Sequence, residues 1–205
     1  MAQVFYIHPE TPQPRQLSQV IDRLKSGELI VYPTDSGYAL GWSIGNKKAQ
    51  ERVIQLRQTD SHHNFTVMCR DISQITEFAV VDNTAFKLIK KLIPGPFTFI
   101  LPATRSLPKW LRNDKRKSIG IRIPDQAIAQ GLLEMLDEPM MSSSLLLPGK
   151  DMHAIEEWEL PDLLDARIDA LVLGGHETME PTTVIDLLDE VPVITRQGSG
   201  IADFL

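Results

Sequence analysis

Leu29 to Gly41 reads LIVYPTDSGYALG. The opening run, β-branched and aromatic, is the pattern of a buried strand. Pro33 then removes an amide donor and fixes φ, so strand pairing is expected to stop there. Thr34, Asp35, Ser36 and Gly37 follow as a polar turn, and Tyr38 to Leu40 make a second short strand closed by Gly41. Small polar side chains held between two rigid strands are a common way to preorganise a site. The plainer alternative is a connection whose Thr34 and Asp35 satisfy their own backbone.

Working outward, Pro14 to Gly27 carries Leu17, Val20, Ile21 and Leu24 at helical spacing, with Gly27 as the stop. A second helix is predicted from Lys47 to Arg57, burying Ala49, Val53, Ile54 and Leu56. The polar loop Gln58 to Asn64 leads to a strand at Phe65 to Cys69. Asp82 is placed to cap a helix running to Ile93, which Pro94-Gly95-Pro96 breaks before the strand Phe97 to Leu101. Beyond a basic segment anchored by Trp110 and Leu111, a strand is predicted at Ser118 to Ile123. Asp125 should cap a helix over Ala127 to Leu136. An apolar run with three serines, Met140 to Leu147, precedes an acidic helix at Ile155 to Leu164. Strands at Ala170 to Leu173, Thr182 to Leu187 and Pro192 to Arg196 finish the chain. The alternation of strands and helices, without repeat or linker, predicts an α/β protein of one domain.

The 205 residues are 42% hydrophobic, an ordinary globular composition. No apolar run approaches the ~20 residues of a membrane span, and the first residues lack the basic start and apolar core of a signal peptide, so a cytoplasmic location is expected. The single Cys69 can form no internal disulfide and reads as a buried strand residue. A net charge of −6 argues against a protein that coats nucleic acid indiscriminately. The charge is uneven, however. Lys87, Lys90, Lys91, Arg105, Lys109, Arg112, Lys115, Arg116, Lys117 and Arg122 are offset between positions 87 and 122 only by Asp114, whereas Asp151 to Glu190 is strongly acidic with Arg167 its only Lys or Arg. A basic stretch of this kind can contact phosphates; the alternative is a solvated face.

Thr34, Ser118, Arg122, Ser142, Ser144, Thr182, Thr183 and Arg196 fall at or near predicted strand ends. Ligands of open α/β sheets sit at strand ends, and hydroxyls with guanidinium groups suit phosphate and carboxylate recognition. No phosphate-loop or dinucleotide fingerprint is present, and Gly174-Gly175 is weak evidence for either. The expectation is an anionic, nucleotide-like ligand.

Six stretches carry a resemblance: PTDSGYALG (33–41), PGPFTFIL (94–101), SIGIRIPD (118–125), PMMSSSL (139–145), PTTVIDL (181–187) and ITRQGSG (194–200). Their order resembles that of the motifs in the YrdC/YciO family of threonylcarbamoyl-AMP synthase-like proteins, over about residues 7–200. HNFT at His63 to Thr66 and the short C-terminus are closer to its YciO branch. The resemblance implies a YrdC-like domain at 7–200 with no second domain, built as a twisted open mixed sheet with flanking helices and a positively charged concave surface. It also implies binding of nucleotide (ATP or AMP) and of duplex or structured RNA. In the catalytic branch ATP, L-threonine and bicarbonate give threonylcarbamoyl-AMP and pyrophosphate, the precursor for threonylcarbamoyladenosine modification of tRNA; Mg²⁺ would accompany the ATP.

By the same resemblance, Arg57, Ser118, Ser144 and Arg196 are candidates for nucleotide binding, and Thr34, Arg122, Ser142 and Thr182 for substrate binding. Arg57 and His63 are the candidate catalytic groups, and Lys109, Arg112, Lys115, Arg116 and Lys117 the candidate RNA contacts. Charge that builds on phosphate oxygens must be met by cations. The active branch resembles Lys-x-Arg followed by Ser-x-Asn. Here those positions are Arg57-Gln58-Thr59 and Ser144-Leu145-Leu146, so a second cation and an orienting amide are gone. A family histidine falls at Met68, with His63 five residues earlier. The expectation is a binding protein with a degraded catalytic pattern; the alternative is a working L-threonylcarbamoyladenylate synthase using Arg57 and His63 in altered roles.

Overall fold

The computed structural model of the chain describes residues 1–60, 63–113, 115–175 and 179–202. Ser61 and His62 of the expected polar loop, Asp114 of the basic segment and Glu177 of the acidic one lie outside them. In chain order the elements are β1 (Gln3–Tyr6), α1 (Pro14–Lys25), β2 (Ile30–Thr34), β3 (Gly37–Ser43), α2 (Lys47–Arg57), β4 (Thr66–Met68), α3 (Ile72–Phe78) and α4 (Asn83–Leu92). Then follow β5 (Phe97–Pro102), β6 (Ser118–Arg122), α5 (Ala127–Leu136), β7 (Met140–Ser144), α6 (Leu160–Leu164), β8 (Ala170–Leu173), β9 (Thr183–Asp186) and β10 (Val193–Arg196). The ten strands of the described residues join one sheet in the order β1-β8-β2-β3-β7-β4-β6-β5-β9-β10. The sheet is mixed: β1/β8, β2/β8, β4/β6 and β5/β9 run parallel, the other pairs antiparallel.

Successive strand residues face opposite sides, so the run Leu29-Ile30-Val31-Tyr32 feeds two cores at once. Leu29 and Val31 join Trp42, Phe65, Phe99 and the buried residues of α2, α3 and α4 on one face. Ile30 and Tyr32 join Leu17, Val20, Ile21 and Leu24 of α1 and Ile128, Leu132 and Leu133 of α5 on the other. This second cluster draws on β1, β2, β7 and β8 but hardly on β5, β6, β9 or β10. One face of the sheet is therefore covered by α1 and α5 over half its width and left open over the other half.

Four expectations need correction. Pairing does not stop at Pro33: β2 and β3 form a hairpin in which Pro33 lies opposite Tyr38 and Thr34 opposite Gly37. The second neighbour of β2, β8, reaches only Ile30 and Val31, so Pro33 stands where the strand has a single partner, a position that tolerates proline. The cap of α5 is Gln126, whose side chain accepts from the Ala129 amide at 2.8 Å, rather than the exposed Asp125. The acidic helix is short: a 3-10 turn at Glu157–Glu159 leads into α6, and Pro161, lacking an amide proton, allows a helix to start there but not to pass through. Finally, Leu111 is buried as an anchor whereas Trp110 is 40% exposed.

Candidate functional site

The open half of the sheet face is concave and holds a cavity of about 240 Å³. Its floor follows from strand alternation: Thr66 and Met68 of β4, Thr98 and Ile100 of β5, Gly120 and Arg122 of β6, and Ser142 and Ser144 of β7 all face it. The threonines, serines and glycine among them cannot build an apolar core, and no helix of the described residues packs there. Thr66 lies opposite both Gly120 and Ser142, so the middle of the floor is a row of small side chains. A Cβ at Gly120 would come 3.4 Å from Thr66 Oγ1 and Thr98 Cγ2, filling the depth that glycine leaves. Tyr38, Arg57, His63, Asn64, Leu146, Thr182 and Arg196 form the walls.

Arg57, His63, Arg122, Ser142, Ser144, Thr182 and Arg196, scattered over 140 residues of sequence, thus surround one space. Two of the expected site residues do not line it. Thr34 is buried, and its hydroxyl donates to the Gly37 carbonyl at 2.7 Å. Ser118 is buried at the start of β6, opposite Pro102.

The three guanidinium groups are held in different ways. Arg122 sits at the end of β6, as expected, but is only 6% exposed. Nη2 donates to Asp35 Oδ1 in an ion pair and Nη1 donates to Ser36 Oγ at 2.7 Å, while Nε is buried without a partner among the described residues. Burial pushes its pKa down; Asp35 acts against that. The turn Asp35-Ser36 therefore serves the strand-end arginine, and its charge is already answered. Arg196 is exposed; Nε donates to the Thr182 carbonyl and Nη2 to Thr182 Oγ1, both at 3.0 Å. Thr182 Oγ1 also lies 2.8 Å from Thr98 Oγ1, which ties the arginine to the floor. Arg57 Nη1 lies 2.9 Å from His63 Nε2 and donates to Ser143 Oγ. No carboxylate pairs with Arg57 or Arg196 among the described residues, and partial desolvation lowers the pKa of each guanidinium.

Ser142 is occupied: its hydroxyl sits 2.9 Å from Tyr32 Oη and 3.1 Å from the Leu40 carbonyl. Desolvation raises the pKa of that buried tyrosine, keeping it a neutral phenol. Ser144 is exposed to the cavity, and Leu146, two residues on, lines it with 49% of its surface exposed. Tyr38 Oη donates to Glu157 Oε2 at 2.6 Å, and the same oxygen accepts from the Gly175 amide at 2.9 Å. The Gly174-Gly175 turn thus meets a carboxylate of the chain itself. Thr66, Thr98, Gly120, Ser143 and Tyr38 were missed as site residues; the signal for the first three was an alternation of small or hydroxyl residues along strands whose other face is apolar.

The candidate RNA residues divide. Arg112 folds back on its own loop, with Nε donating to the Leu107 carbonyl at 2.9 Å and Nη2 to the Arg105 carbonyl at 3.0 Å. Arg116 Nη1 lies 2.5 Å from Asp186 Oδ2. Lys109, Lys115 and Lys117 are exposed, with no ion pair among the described residues. Asn113 Nδ2, on the same loop, donates to Asn64 Oδ1 at 3.1 Å, joining the basic loop to the wall that carries His63.

Relatives have the same architecture. The chain is 49% identical to uncharacterized protein YciO of Escherichia coli (strain K12) over 200 residues, which is 98% of this chain and 97% of that protein. The crystal structure of E. coli YciO superposes with a TM-score of 0.92 at 48% identity, covering 99% of this chain and 98% of that one. At 27% identity over 174 residues, 84% of this chain and 81% of the relative, it is similar to a putative threonylcarbamoyl-AMP synthase of Methanocaldococcus jannaschii. The fold is shared with Pyrococcus abyssi Sua5 complexed with L-threonine, at 23% identity and a TM-score of 0.85 over 95% of this chain and 57% of that one. The family model Sua5_yciO_yrdC (Telomere recombination) matches residues 22–198. With an open-faced mixed sheet, a hydroxyl-floored cavity on that open face and a family match over most of its length, the chain belongs to the Sua5/YciO/YrdC family, and is related to its threonylcarbamoyl-AMP synthases.

Proposed function

We propose that the chain binds a nucleotide such as ATP or AMP in the cavity and duplex RNA on the adjoining basic loop, with the synthase chemistry of its relatives weakened. One observation carries the reading: Arg57 and Arg196, neither paired with a carboxylate among the described residues, open from opposite walls onto a single hydroxyl-lined floor. Guanidinium groups in a partly desolvated cavity, with hydroxyl donors between them, suit the oxygens of a phosphate. Chemistry at the α-phosphate asks for more positive charge than is left. Arg122 is neutralised by Asp35, the position after Gln58 is a threonine, and Leu146 presents methyl groups where an amide would orient a substrate.

Among the described residues no three metal-ligating side chains gather, so a divalent ion would enter on the phosphates of the nucleotide. For RNA, Lys109, Lys115 and Lys117 supply the loose cations, and Arg112 and Arg116 hold the loop in shape. Phosphates read in this way give recognition by shape, with little dependence on sequence and a preference for duplex over single strands. The test is calorimetric titration of ATP and AMP into the protein and into Arg57→Ala and Arg196→Ala. Both variants should bind at least tenfold more weakly while unfolding at the wild-type denaturant midpoint. Equal affinity in all three proteins removes the cavity from the account.

A further inference from the structure

The pair formed by Arg57 and His63 has a direction. A guanidinium has donors only and keeps its proton, so across the 2.9 Å contact Arg57 Nη1 must donate and His63 Nε2 must accept. An accepting Nε2 leaves the ring proton on Nδ1 and the imidazole uncharged. Such a ring cannot meet an anion as a cation. We propose that His63 is a positioning residue: its uncharged ring, with Ser143, fixes the Arg57 guanidinium in the cavity wall, and Arg57 alone of the two meets the anionic ligand. The inference rests on the cavity being an anion site, the reading given above.

The surroundings of the ring agree with this role. His63 meets Phe65 edge to face, with ring centroids 5.0 Å apart, and Phe65 in turn meets Trp42 at 5.2 Å, so the imidazole is braced against the apolar core. The charged groups facing it are Arg57 from α2 and Asp60 from its own loop; Ser143 of β7 is uncharged, and Arg122 and Arg196 reach the same cavity from β6 and β10. Burial, then Arg57, hold the imidazole below its ordinary pKa, and Asp60 offsets part of that. Arg57 is fixed by Nη1, whereas Nη2 makes no hydrogen bond to a described residue and is left for a ligand. The histidine expected to help catalysis is thus bound to the cation that it would have to assist.

The test uses adenosine 5′-sulfate, whose negative charge does not change between pH 6.5 and 8, and follows its affinity for the wild-type protein, His63→Gln and His63→Ala. A glutamine carbonyl can still accept from Arg57. The proposal expects a flat profile in the wild type over this range, wild-type affinity in His63→Gln, and a loss of about tenfold in His63→Ala, the scale of a hydrogen bond to a charged group. Affinity that climbs as pH falls in the wild type and is flat in His63→Gln makes His63 a cationic ligand and overturns the proposal, as does undiminished affinity in His63→Ala. A second readout needs no ligand. In ¹H–¹⁵N spectra the His63 ring should carry its proton on Nδ1 and titrate below 6.5, and in Arg57→Ala its midpoint should rise, because a neighbouring cation has gone. An unmoved midpoint overturns the pairing even if the sulfate does not bind, a result that by itself counts against the anion site rather than against the pair.

Discussion

Replacing Asp35 with Asn should cost the fold about 3 kcal/mol and at the same time improve the cavity as an anion site. The side chains of Asp35 and Arg122 are 12% and 7% exposed, so the ion pair is close to fully buried. Removing one charge of such a pair strands the other in a medium that solvates it poorly, at a cost of roughly 3–5 kcal/mol. The low end applies here, because an asparagine oxygen can still accept from Nη2 and Ser36 Oγ keeps its bond to Nη1. Arg122 lines the cavity, so an added anion can replace the lost carboxylate. Urea unfolding followed by tryptophan fluorescence measures the loss, and repeating it with ATP should recover part of it by mass action. The double variant Asp35→Asn with Arg122→Met removes both charges and should lie within about 1 kcal/mol of wild type. A single variant that unfolds within about 0.5 kcal/mol of wild type would refute the reasoning, since the guanidinium would then need no counterion.

Three further outcomes follow from the geometry. Gly198→Ala should destabilise by at least ~2 kcal/mol, because the new Cβ would come 2.0 Å from the Pro181 carbonyl oxygen, backbone that cannot yield without moving Thr182; thermal unfolding reads the loss. Replacing Lys109, Lys115 and Lys117 together with Ala should flatten the salt dependence of duplex RNA binding by roughly 0.7–0.9 for each phosphate no longer neutralised, measured by fluorescence anisotropy over a salt series; an unchanged slope places the RNA surface elsewhere. Thr59→Arg with Leu146→Asn should raise threonine-dependent pyrophosphate release by about tenfold or more, since Leu146 is half-exposed in the cavity and its replacement opens no hole in the core; folded protein without a gain means that the groove has diverged further.

Much of the fold was legible because the long elements obey one period each. Leu17, Val20, Ile21 and Leu24 announced α1, and the observed strand β8 has the predicted bounds. Helix α3 was missed because its buried residues are Gln74 and Ile75, with little apolar periodicity to see, although Asp71 caps it through the Gln74 amide. The cavity lining was legible as a set of residue types, although the cavity lies on the open sheet face rather than at strand ends. Its internal pairing was not, since Asp35 and Arg122 are 87 positions apart and Arg57 and Ser143 are 86 apart. Sequence placed a turn of small polar groups at Thr34 to Gly37, but only the tertiary fold, which brings the end of β6 to the β2–β3 turn, makes Asp35 the counterion of a strand-end arginine. Likewise a basic run shows that charge is present, whereas the carbonyl contacts of Arg112 and the Asp186 partner of Arg116 decide which cations are loose.

The central claim, a cavity that holds nucleotide while its synthase chemistry is weakened, meets its most direct test in one reaction. The protein is incubated with ATP, L-threonine, bicarbonate and Mg²⁺, ATP occupancy is read by equilibrium dialysis, and pyrophosphate is measured with and without threonine. The account predicts a bound ATP fraction that falls in Arg57→Ala, with pyrophosphate release at least a hundredfold slower than the ~1–10³ s⁻¹ usual for enzymes. Threonine-dependent release at an ordinary enzymatic rate would contradict it and make the chain a working synthase.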